Sequence, residues 1–186
     1  MITQPLSQTR NMFLVAVLLL QTAQLIWEHF NGGVVTHHLL MRADLPGISN
    51  WWGLLILPAL VLVTGMHVQA RLTAHAQDET ARLKIWNNVQ LGFGMLLLFS
   101  LCQAIVFSLG FHTLAKFMLL GLLITALFMP LYRMECILGY VLGASLTSGP
   151  AMPFVGVVLF ATVSALSHFA IKPVIARVIT RKHITN

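Results

Sequence analysis

Apolar residues run in blocks along this chain, roughly at 11–28, 51–69, 88–110, 113–131, 134–148 and 153–171, with the polar residues gathered between them. A helix needs about 20 mostly apolar residues to cross the hydrocarbon of a bilayer. The pattern therefore predicts an all-α integral membrane protein of about six transmembrane helices. The fifth run is short, bounded by Pro130 before it and by Ser148-Gly149-Pro150 after it. Gly139 and Gly143 stand four apart in that run, a spacing that lets two helix backbones approach closely, within the chain or between copies of it. The stretch from Thr147 to Pro153 reads as a turn between the last two helices.

Basic residues set the orientation of such a bundle, because Lys and Arg collect on the cytoplasmic side. With both termini cytoplasmic, Arg10, Arg71, Arg82, Lys84, Arg133, Lys172, Arg177, Arg181 and Lys182 lie inside, and only Arg42 and Lys116 lie outside. That nine-to-two split favours an even number of spans. It places the first connection, the longest polar one, on the outer face. The location expected from this is a bacterial inner membrane. Arg10 followed by MFLVAVLLL has the look of a signal peptide, yet no small-x-small cleavage site follows, so the segment is expected to stay as the first helix.

Composition agrees with the pattern. The chain has 186 residues, 58% of them hydrophobic and 9% charged, with mean hydropathy +0.84. A soluble domain carries about a quarter charged residues, so this chain cannot cover a water-facing surface. The lipid bilayer is its first partner. A net charge of +6 could suggest nucleic acid, but the basic residues are scattered singly rather than in blocks, which excludes that class. Cys102 and Cys136 show no CxxC spacing, so neither a disulfide framework nor a cysteine zinc site is expected. Six helices of this length enclose little space, which makes a homo-oligomer or a membrane-complex partner a reasonable expectation.

Candidate chemistry concentrates in the connection WEHFNGGVVTHHLLMRADLPGISNWW, Trp27 to Trp52. It holds two of the five acidic residues, Glu28 and Asp44, with His29, His37, His38 and Asn50. A helical turn over Val34–Asp44 would put His37, Met41 and Asp44 on one face and His38 with Arg42 on another. Pro46 disfavours helix at Leu45, and Ser49 or Asn50 is suited to cap the second helix. Trp27, Trp51 and Trp52 fit an interfacial aromatic belt and would wall such a site.

Three readings of this loop stay open. Histidine and carboxylate donors suit a divalent metal such as zinc, with His37, His38 and Asp44 as the ligands, although the spacing matches no HExxH signature. Glu28 or Asp44 beside a histidine suits proton coupling or acid–base work. The residues can also be an ordinary interfacial loop. In functional terms the sequence points to a small transporter or ligand-binding membrane protein with its site near the outer leaflet. The rivals are a membrane-embedded enzyme acting on a lipid or lipid-linked substrate, and an accessory subunit of a membrane complex. The chain has no phosphate loop, no GxSxG and no CxxCH.

Secondary candidates lie elsewhere. Arg133 and Glu135 flank the start of the fifth run, where opposite charges at a turn can simply pair. His168 has Lys172 four residues on, which disfavours its charged form. Between 70 and 87, Asp78 and Arg82 fit an i,i+4 pair on a solvated helix extension.

Overall fold

A computed structural model describes residues 6–38, 44 and 46–173 of the chain. Met41, Arg42, Arg177, Arg181 and Lys182 fall outside them. The described residues are mostly helical, as the apolar blocks predict. The helices are α1 (Leu6–Phe30), α2 (Gly53–Ala74), α3 (Glu79–Ser108), α4 (His112–Phe128), α5 (Met134–Ser148) and α6 (Ala151–Leu166). A π-helical turn, Ser167–Ile171, extends α6.

Four of these are long and apolar enough to cross a membrane: α1, α2 with the turn before it, α3, and α6 with its extension. Their outward faces carry Leu19, Leu20, Leu55, Leu98 and Leu159, each more than half exposed. Apolar cover on that scale marks the surface of a membrane-associated protein. Helix α4, with 17 residues, and α5, with 15, are shorter than a span. At 1.5 Å per residue they measure about 26 and 22 Å against a hydrocarbon core of about 30 Å.

Helix α5, ended by Gly149 at φ 62°, lies in the interior of the bundle. Ten of its 15 residues are buried, and it packs against α2, α3 and α6. In lipid, apolar burial does little to drive helices together, so small residues that admit close van der Waals contact decide the packing. Gly139 and Gly143 serve that purpose within the chain. A Cβ at Gly139 would overlap the Phe93 carbonyl of α3, and one at Gly143 would overlap Ser100 Oγ and come within 2.8 Å of the Leu97 carbonyl. Tyr140 seals the same interface by donating to Gln103 Oε1 at 2.9 Å.

Polar side chains close the helix ends. The last carbonyls of a helix lack partners, and in an apolar medium each one costs several kcal/mol, of order. At the end of α4, Ser167 Oγ donates to Leu127 O at 2.7 Å, Lys172 Nζ to Phe128 O at 3.0 Å and Ser164 Oγ to Met129 O at 2.8 Å. His168 belongs to this cap, with Nδ1 2.9 Å from Ser164 O and Nε2 2.8 Å from Lys172 Nζ. Lysine offers no acceptor, so in this arrangement Nε2 accepts from Lys172 and Nδ1–H donates to the Ser164 carbonyl.

Two local expectations are corrected. The 70–87 stretch is not one helix extension. Helix α2 ends at Ala74, and Asp78 caps α3 instead, accepting from Ala81 N–H at 2.9 Å and from the Thr80 hydroxyl at 2.7 Å. Those hydrogen bonds hold its carboxyl below the usual range, the Ala81 amide first and the Thr80 hydroxyl second. The 34–44 segment is not a helical turn where it is described. Thr36–His38 forms strand β1, paired antiparallel with β2 (Gly47–Ser49), His37 opposite Ile48.

Candidate functional site

The polar residues gather at the two ends of α5. The first cluster forms where α1 stops. Gly32 and Gly33, at φ +114° and +102°, break the helix, and the Gly33 N–H returns to Glu28 O at 3.0 Å. That leaves Glu28 in the last turn of α1, where the helix dipole disfavours an anion. Three donors from three segments offset this. Glu28 Oε1 accepts from Asn50 Nδ2 at 2.7 Å and from Gln24 Nε2 at 3.1 Å. Its Oε2 accepts from the Val35 N–H at 3.0 Å.

Asn50 is the centre of the cluster, 2% exposed. Besides its bond to Glu28, its N–H donates to Val35 O at 3.0 Å, and its carbonyl accepts from Gln21 Nε2 at 3.5 Å. The expected capping role for Ser49 or Asn50 does not form: Ser49 makes no side-chain cap bond to the short turn that follows it, and α2 itself starts after Trp52, whose side chain has no oxygen to cap it. Gln24 also reaches Ser145 O of α5 at 3.3 Å. Gly149, just past α5, lies so close that a Cβ there would overlap Asn50 Oδ1. The hairpin, α1, the turn before α2 and the end of α5 thus meet at one carboxylate and one amide.

The remaining predicted residues divide around this point. His37 is half-buried and His38 exposed, as successive strand residues point to opposite faces. Burial pushes the His37 imidazole below its ordinary value of 6.5, and the Glu28 charge pulls the other way. His29 is exposed and stacks edge-on with Phe30, centroids 5.5 Å apart. Asp44 is exposed in the turn region. Trp27, at 70% exposure, and Trp51 and Trp52 face the surroundings, so the walls of the cluster are Gln21, Gln24, Ser145 and Gly149. Among the described residues no three His, Cys, Asp or Glu side chains could together hold a metal ion.

The second cluster lies at the other end of α5. Glu135, in its first turn, is 2% exposed and pairs with Arg71 of α2, whose Nη2 donates to Oε2 at 2.8 Å. Oε1 is buried, and no partner reaches it among the described residues. Nearby, Thr64 Oγ1 donates to Met134 O at 3.3 Å, and a Cβ at Gly92 of α3 would meet Cys136 Sγ at 3.1 Å and Glu135 Cγ at 3.5 Å.

Sequence reasoning missed Gln21, Gln24 and Gly149 at the first cluster and Arg71 at the second. A signal existed for the glutamines: Gln21, Gln24 and Glu28 are spaced three and four apart, one polar stripe on an apolar helix. Comparison of the chain with protein-family models, with curated proteins and with solved structures returns no match.

Proposed function

We propose that the chain is a six-span protein of the bacterial inner membrane, its four long helices joined by α4 and α5 as short spans within the bundle, termini in the cytoplasm, that binds or transports a small ligand at the Glu28 end of the bundle. The nine-to-two division of basic residues supports the orientation. One observation carries the functional reading: the Glu28 carboxylate fastens α1 to the hairpin and to the turn before α2. A cation or proton arriving there competes with the Val35 N–H and the Asn50 amide for the same lone pairs. Occupancy and hairpin attachment are then coupled. Glu28 is the binding group, Asn50 the group displaced, and His37, whose burial disfavours its charged form against the pull of Glu28, the proton-exchange partner. His29, His38 and Asp44 form the rim, and the tryptophans anchor it at headgroup depth.

The test is cation and proton uptake into sealed vesicles containing the purified protein. Uptake is expected in the native protein and lost in Glu28→Gln, which keeps the side-chain shape without the charge. Undiminished uptake in that variant sinks the reading. The three internal donors on Glu28 favour a second one, in which the cluster is a fastening and the chain an accessory subunit. A stable stoichiometric partner on purification, with no uptake, would select it.

A further inference from the structure

The Glu135 end of α5 carries an inference that does not depend on the Glu28 reading. Glu135 is as buried as Asn50, yet among the described residues it is held by a single donor, and its second oxygen has none. A buried ionised carboxylate is costly unless it is paired and hydrogen-bonded. Here the Arg71 contact and the start of α5, whose dipole favours an anion, supply one side only. In an apolar bundle, an ionisable side chain without full satisfaction marks a proton or ligand site.

We propose that Glu135 is a buried proton-binding site, its Oε1 taking up a proton that arrives from water beside Arg71. The Arg71 side chain is 32% exposed, so its guanidinium links the buried acid to the solvent or headgroups outside. The step is simple: one proton bonds to Oε1, no electrons move, and no bond other than a hydrogen bond breaks. Arginine stays protonated throughout. The pair passes from neutral to a single positive charge, which Arg71 can carry at the surface on its long stem. The α2–α5 fastening weakens from an ion pair to a charge-assisted hydrogen bond from the Arg71 cation to a neutral carboxyl oxygen.

Few other groups share the site. Arg71 comes from α2, Arg133 and Cys136 from the chain on either side of Glu135, and the fields of both arginines reach the Cys136 thiol. Helix α3 presents Gly92. The ionisable groups that follow α6, His168 and Lys172, are committed to the cap of α4. Arg133 adds positive charge and so opposes a metal cation at this position.

Infrared difference spectroscopy of the protein in bilayers, titrated from alkaline to acid pH, reads the proton directly. The chain has only five acidic residues, so the assignment is tractable. A protonated-carboxyl band, slow to exchange in deuterated water, is expected in the native protein. It should be lost in Glu135→Gln, kept in Glu28→Gln, and should grow in at higher pH in Arg71→Gln, because an adjacent cation opposes protonation. A native protein that shows no such band before it unfolds overturns the proposal, whatever the variants do. So does a band that survives Glu135→Gln, or one whose pH is unmoved by Arg71→Gln. Uptake through the Glu28 end is a separate readout, so the two readings fail separately.

Discussion

The two ends of α5 treat a carboxylate in opposite ways. At the hairpin end, Glu28 is only half-buried and collects three donors; at the other, Glu135 is 2% exposed and collects one. Buried polar groups are ordinarily the better satisfied, so the order is reversed. The surroundings explain it. Irregular backbone between α1 and α2 brings an N–H and a side-chain amide to Glu28. Glu135 lies in the first turn of α5, turned toward α2, and among the described residues only the long Arg71 side chain reaches it. Donor supply, rather than depth, separates a fastened acid from a poised one.

The largest effect should come from what holds both ends at their spacing, about 22 Å along α5. Gly139→Leu drives a branched side chain into the Phe93 carbonyl. A loss of about 3 kcal/mol or more is expected, read as unfolding in detergent. Both clusters should loosen together. If denaturation is unchanged, or only one end responds, α5 is not the shared strut.

Gly149→Ala tests the hairpin end alone and leaves every charge in place. Gly149 has φ 62° and ψ 169°, a region open essentially to glycine, where another residue costs about 1–3 kcal/mol. The new Cβ also presses on Asn50. The expected result is lower stability with faster proteolysis or hydrogen exchange in the hairpin, and an unchanged infrared band from Glu135. A change at both ends would mean that the clusters are coupled rather than separate.

The sequence displayed these ends unequally. Local features were legible: the six apolar blocks became six helices, the expected turn formed but only at Gly149-Pro150, with its flanks taken into α5 and α6, and the GxxxG spacing found its use against α3. Glu135 stood out as an acid in an apolar run. Its partner did not, because Arg71 is 64 positions away and reads locally as one more inside charge. The hairpin was hidden for a related reason. Its strands are three residues each, too short to show alternation, and the same histidine spacing fits a helical face until Thr36 finds Ser49. Asn50 was read for its acceptor oxygen, the usual capping group, and the structure uses its donor.

The smallest effect is electrostatic and belongs to His37. Burial lowers its pKa from 6.5 while Glu28 opposes the shift, so the folded chain binds this proton less readily than the unfolded one. Stability is then undiminished above about pH 6.5 and declines as pH falls below it, since the unfolded state gains the proton first. NMR of labelled imidazole should place the His37 midpoint below 6.5 in the native protein. In Glu28→Gln the opposing charge is gone, and the midpoint should fall further. Arg71→Gln, at the far end of α5, should leave it where it was. A midpoint that rises in Glu28→Gln would show that the carboxylate's main influence on His37 is to hold the hairpin shut over it. The Glu28 end would then act through position rather than through charge, and the contrast with Glu135 would rest on geometry alone.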